Sequence, residues 1–338
     1  MALKKLGKQT VKLKNPPSII STASIVGENE GKGPLGEKFD IILDDDLWGT
    51  ESFEKAEMKM LETAVNLAIS KQGLTNNNID YMFGGDLLNQ IISASFAARN
   101  LEIPFFGLYG ACSTMTESLS LGSMIIDGDY ADYVIATTSS HFASAERQFR
   151  LPLEMGAQRA PSAQRTATAS GAALLSKKGS GPYITYITTG KVIDFGIKDA
   201  TNMGAAMAPS AADTIIRHFK DTGFTPNDYD LIITGDLGNV GKDLADKLLK
   251  ENGYDLKDKL KDCGVEIFDL ENQDVASGAS GCGCSASVFC AHYYDLLKKG
   301  ELNKILMLST GALMSPTSTL QGESIPGIAH AITVERSI

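Results

Sequence analysis

Gly110-Ala111-Cys112-Ser113-Thr114 returns in altered form as Cys282-Gly283-Cys284-Ser285-Ala286, at an offset of 172. The match runs without a gap from 111–140 onto 283–312. It sets Cys112 on Cys284, Gly128 on Gly300, and Tyr133-Val134-Ile135-Ala136 on Ile305-Leu306-Met307-Leu308. An earlier block repeats at an offset of 150, where Phe83-Gly84-Gly85-Asp86-Leu87 falls on Ile233-Thr234-Gly235-Asp236-Leu237. The same order of apolar runs and glycines, met twice, predicts one supersecondary programme used twice. The halves are drawn at 1–181, with Cys112, and 182–338, with Cys284.

Outward from these blocks, Phe53, Ala56, Met60, Leu61, Ala64, Val65, Ala68 and Ile69 have helical spacing. Short apolar runs predict strands over 79–83, 103–109, 132–138, 172–176 and 184–191, with helices over 89–100 and 113–126. The second half predicts helices over 209–219, 240–251 and 285–297, and strands over 230–234, 304–309 and 328–334. Runs that are nearly continuous rather than alternating mark strands covered on both faces. Alternation of strand and helix predicts mainly parallel sheets in an α/β fold. Two such sheets, with helices outside and between them, give five layers. The growth of the offset places an insertion after Gly241, containing Gly253, Asp255, Lys257, Asp258, Lys259, Lys261 and Asp262, which reads as a solvated surface elaboration.

The 338-residue chain is 43% hydrophobic and 21% charged, an ordinary globular balance. Its net charge of -10, with no basic run, argues against nucleic acid as a partner. No apolar stretch approaches the ~18–20 residues that span a bilayer. The lysines near the N-terminus have no apolar core behind them, so they do not make a signal peptide. Five cysteines, an odd number, suit a soluble chain in a reducing compartment. Cys282 with Cys284, and Cys290 with His292, lack the spaced pairs of a zinc site and read as small buried thiols. Asp44-Asp45-Asp46 reads as an exposed turn. No resident metal or cofactor is expected.

Cys112 sits where a strand ends and a helix begins. Unpaired amides and the helix dipole favour negative charge there. Three readings follow: a thiol activated as a nucleophile, a passive carboxylate site, or a small packing residue, which the twin Cys284 supports. His141 follows the next strand and is expected on the same rim as Cys112. Residues 141–170 hold Arg147, Arg150, Arg159 and Arg165 against only Glu146 and Glu154. A long polar loop with forked cations reads as a carboxylate-binding lid or as a dimer contact. Asp86 and Asp236 each stand where they would cap the following helix.

The duplicated α/β half with a cysteine at a helix tip resembles the thiolase-like superfamily, in which two βαβαβαββ halves build a five-layer α-β-α-β-α fold. A narrower resemblance is carried by Gly7-Lys8-Gln9-Thr10, Gly33-Pro34-Leu35-Gly36, Gly85-Asp86-Leu87-Leu88-Asn89-Gln90 and Gly110-Ala111-Cys112-Ser113-Thr114. Ser139-Ser140-His141, Ala145-Glu146-Arg147-Gln148-Phe149-Arg150, Met207-Ala208-Pro209, Ser280-Gly281-Cys282 and Glu323-Ser324-Ile325-Pro326 extend it end to end. These blocks are similar to the stage V sporulation protein AD family. The resemblance implies a protein of spore-forming bacteria that binds dipicolinic acid, free or as its calcium chelate, for uptake into the developing spore. It implies integral membrane partners of the same operon, a peripheral place at the spore inner membrane, and a homodimer formed through the first-half sheet.

Condensing enzymes of the superfamily bring two bases from the second half. The matching places here are Asp236–Asn239 and Asp274–Gly278, and no histidine occurs between His218 and His292. The expectation is therefore a binding protein, with acyl transfer by Cys112 and an unorthodox base, His141, as the alternative. Dipicolinate would set one carboxylate on the amides around Cys112 and Ser113 and the other on Arg147 and Arg150. Asp86 and His141 would frame the rim.

Overall fold

The computed structural model describes residues 4–149 and 160–338. Its hydrogen-bonded strands follow two matching sets. In the first, Tyr81–Gly85 lies parallel to both Phe105–Gly107 and Tyr133–Ser140, and Tyr133–Ser140 then pairs antiparallel with Ala169–Ser176, which pairs antiparallel with Ser18–Val26. In the second, Leu231–Thr234 lies parallel to Leu260–Asp262 and Lys304–Ala312. Gly327–Glu335 and Tyr183–Thr188 follow antiparallel. The ladder passes from one set to the other through Ser18 and Tyr183.

The sheets are thus mixed, not mainly parallel as the alternation suggested. A parallel return needs a crossover that packs across a sheet face. The segment after Tyr133–Ser140 instead forms the helix Phe142–Phe149 near the strand ends, and the chain comes back antiparallel. That helix also replaces the start of the expected polar loop.

Five layers result. The helices Phe53–Ser70 and Ile92–Leu101 cover the outer face of the first set, and Met203–Thr222 and Gly238–Glu251 cover that of the second. Between the sets lie Thr114–Asp127 and Cys282–Val288, the two helices that follow the duplicated cysteines. A helix walled by strands on both sides has no solvated face for long polar chains. Thr114–Asp127 is accordingly mostly Thr, Ser, Gly, Met, Leu and Ile, with Glu117 in its first turn and Asp127 at its end, and Ser120 and Ser123 donate back to the carbonyls of Thr116 and Leu119, each at 2.6 Å. Cys282–Val288 comes so close to Ala169–Ser176 that a Cβ on Gly171 would lie 2.5 Å from the Ala286 carbonyl.

Two boundaries move for local reasons. The helix expected to begin at Pro209 starts at Met203, capped by the Asn202 side chain, with the proline inside it. Most of the extra second-half residues follow the edge strand Leu260–Asp262 rather than precede it. Asp262, counted among the solvated insertion, is buried. It accepts from Leu237 N at 2.9 Å, Gly238 N at 3.0 Å, Val265 N at 3.1 Å and Thr234 Oγ1 at 2.7 Å.

Candidate functional site

A cavity of about 400 Å³ opens over Cys112. Asp86 and Leu87 bound it from the end of Tyr81–Gly85, and Tyr109, Ala111 and Cys112 from the duplicated turn. Ala145, Glu146 and Phe149 come from the short helix, and Met203 and Ala312–Ser315 from the second half. The walls are largely apolar. Their described ionisable side chains are Asp86, Glu146, Cys112 and Tyr109, with no lysine or arginine among them.

Cys112 enters on a strained turn. Ala111 holds φ at 49°, a left-handed conformation that costs a residue with a Cβ free energy. The helix opens with a tight turn in which Ser113 N donates to Gly110 O at 3.1 Å and Thr114 N to Ala111 O. Ser113 Oγ returns to Gly110 O at 2.7 Å. Across the sheet interface, Gly311 approaches so closely that a Cβ there would lie 2.5 Å from Gly110 O. The amide of Ser113, one of those expected to hold a ligand carboxylate, is occupied within the turn, as is that of Thr114.

The Cys112 thiol is buried, with the Asp236 carboxylate beside it. Burial, and then the Asp236 charge, hold its pKa well above the usual thiol value. Of the three readings, this speaks against the activated thiol: desolvation and a carboxylate outweigh the dipole. Asp236 does not cap the following helix. Its oxygens accept from Thr310 Oγ1 at 2.7 Å and Gly281 N at 2.9 Å, and burial raises it to about 6. So one of the places where the resemblance implied a base holds a carboxylate that keeps the thiol protonated.

Asp86 lies on the cavity wall, 1% exposed. One oxygen accepts from Leu88 N and the other from Ala94 N, both at 2.7 Å, so it does organise the start of the next helix. The turn around it carries Gln90 and Ile91 at φ 58° and 47°.

His141 and Arg147 are not among the residues that bound the cavity. His141 is fully buried, with Nε2 donating to Asp46 O at 2.8 Å and Nδ1 accepting from Ala143 N at 3.2 Å, so it is held neutral, and burial lowers its pKa. On Phe142–Phe149, Ala145 and Phe149 share the cavity face, which turns Arg147 outward into an ion pair with Glu54. Arg150 and Arg159 lie outside the described residues. Arg165 stacks on Phe142, with its guanidinium carbon 3.8 Å from the ring centroid, beside a separate depression bounded by Asp45, Asp46 and Asp274. Sequence reasoning missed the apolar walls, which come from five separate segments. It also missed Glu57, whose signal was an acid within the apolar stripe of Phe53–Ser70.

A family model described as stage V sporulation protein AD matches residues 7–335. The chain belongs to that family. It is 46% identical over 335 residues to stage V sporulation protein AD of Bacillus subtilis (strain 168), covering 99% of each chain. Among solved structures it resembles 3-oxoacyl-[acyl-carrier-protein] synthase III of Aquifex aeolicus VF5, with a TM-score of 0.59 at 14% identity, covering 94% of this chain and 99% of that one. It also resembles human mitochondrial 3-ketoacyl-CoA thiolase in complex with CoA, with a TM-score of 0.60 at 13% identity over 96% and 99%. The fold is thiolase-like, and the protein is a stage V sporulation protein by family.

Proposed function

We propose that this chain binds dipicolinic acid, free or as its calcium chelate, in the cavity over Cys112 during its uptake into the developing spore, without chemical turnover. The observation that carries the non-catalytic half is the Cys112–Asp236 pair. A nucleophilic cysteine needs a base or cation that favours thiolate, and here a buried carboxylate does the opposite. The cavity itself is retained, and its size falls in the range of small-molecule sites, roughly 300–1,000 Å³. Largely apolar walls suit an aromatic ring. With Asp86 and Glu146 as the described acids on these walls, a chelate that brings its own cation meets less repulsion than a bare dianion.

The reading extends to the setting. Among the described residues no helix is long and apolar enough to cross a membrane. Work at the spore inner membrane would therefore go through integral membrane proteins of the same operon, with this chain bound peripherally.

Calorimetric titration with dipicolinate, with and without calcium, tests the reading. Saturable binding is expected, with the chelate at least as tight as the free dianion and a loss of about tenfold when Met203→Glu adds a charge to the wall. Absence of binding in both forms, or an acyl adduct on Cys112 with release of a condensed product from acyl thioesters, overturns it.

A further inference from the structure

Behind the cavity wall stands a second carboxylate. Glu57 is fully buried on Phe53–Ser70, and its oxygens accept from Ser139 Oγ at 3.2 Å and Ser144 Oγ at 2.8 Å. The strand register sets it beside Asp86. Gly85 pairs with Thr138, whose Oγ1 donates to Gly85 O at 2.7 Å, and the next residues along the two parallel strands are Asp86 and Ser139. The other side of Glu57 leads outward, since Ser144 also borders a surface depression with Glu54, Leu88 and Arg147.

The charged and titratable groups around this pair are few. Glu54 on the same helix is paired with Arg147 of Phe142–Phe149, and Glu146 of that helix bonds Thr166. Cys282 approaches from the central helix, donating to Ser139 O at 2.8 Å, Cys112 bounds the same cavity as Asp86, and Asp236 stands beside Cys112. His141 is bonded to Asp46 O. No lysine or arginine pairs with Glu57 or Asp86 among the described residues.

We propose that Asp86 and Glu57 form a proton-exchanging pair joining the cavity to the outer surface, so that loading a free dicarboxylate into the cavity takes up a proton from solvent. The proposal rests on the reading that a dicarboxylate occupies the cavity. The step forms one carboxyl O–H bond on the pair and breaks one bond to hydrogen in a buffer acid in the solvent, which is left as its conjugate base. Burial raises Asp86 to about 6, and burial and then the Asp86 charge hold Glu57 well above its ordinary value. Two buried carboxylates with no cation between them hold a proton more readily than isolated acids do, and Asp86, raised to about 6, is the place open to a further one. An entering dianion raises the proton affinity of that place, so uptake accompanies binding and affinity falls as pH rises. A calcium chelate, with no net charge, draws in little or none.

The test is titration calorimetry of the full chain with dipicolinate in two buffers of equal pH and different ionisation heats, at about pH 6.5–7.5. The parent should take up about half a proton or more per free dipicolinate, and clearly less per calcium chelate. Asp86→Asn should abolish the uptake and bind the free dianion more tightly than the parent at about pH 8. Infrared spectroscopy adds a readout without ligand: a protonated-carboxyl band at neutral pH that disappears in Glu57→Gln, with thermal unfolding checked in parallel. Equal heats in both buffers overturn the coupling alone, as does a missing carboxyl band. No binding in any buffer overturns the dipicolinate reading and the coupling with it.

Discussion

At Cys112 the local sequence and the tertiary surroundings pull in opposite directions. The sequence shows a thiol at a helix tip, where dipole and amides favour charge. The structure adds Asp236 from the other half, more than a hundred residues away in the chain, and burial of the thiol. No local pattern contains that partner, so the acidity of the thiol was illegible, whereas its place at the turn was plain from the repeat. Alkylation reads the difference. Iodoacetamide should label Cys112 in the folded protein far more slowly near neutral pH than in the unfolded chain. Asp236→Asn should speed the folded-state labelling on the order of tenfold, as loss of a neighbouring like charge shifts a thiol by about one pK unit. Peptide mass spectrometry over time measures both. Fast labelling of the parent would show that a thiolate is present after all.

Secondary elements were legible in proportion to how much of their pattern is local. Phe53–Ser70 announced itself by its apolar stripe, and the central helices by the repeated cysteines. The antiparallel returns were not announced, because a strand's direction depends on where the connection packs. Asp262 is the sharpest case. Among Lys257, Asp258, Lys259 and Lys261 it looks like another solvated charge, yet it closes the turn between Leu231–Thr234 and Gly238–Glu251 and the cap of Cys263–Glu266. Asp262→Ala leaves three backbone amides without an acceptor, at a cost of about 3 kcal/mol or more. Asp258→Ala, at an exposed position four residues earlier, should stay within about 0.5 kcal/mol of the parent. Urea unfolding of the two variants side by side decides it. Similar midpoints would mean that Asp262 does not hold the turn.

Taken whole, the molecule treats its two sheet edges differently. The path of strands ends at Leu260–Asp262 on one side, where Leu260 and Asp262 are buried. On the other side it ends at Phe105–Gly107, with no strand beyond it among the described residues. Phe106 stacks on Phe83 with centroids 5.1 Å apart and is still 52% exposed, with Phe96 and Tyr109 exposed nearby. An open edge whose own residues, Phe105–Gly107, carry no charge, with aromatics flanking it and Arg99 stacked on Phe96, is an invitation to pair, since exposed edges are normally protected. A second copy related by a two-fold axis would cover both edges at once with a self-complementary surface. Tyr109 also borders the cavity, so the same contact would complete the mouth of the ligand site. Sedimentation at micromolar concentration should therefore show a dimer. Phe106→Lys, which sets like charges face to face across the axis, should give a monomer with little change in thermal unfolding and weaker ligand binding. A parent that stays monomeric at every concentration, or a Phe106→Lys variant that dimerises as the parent does, would place the interface elsewhere.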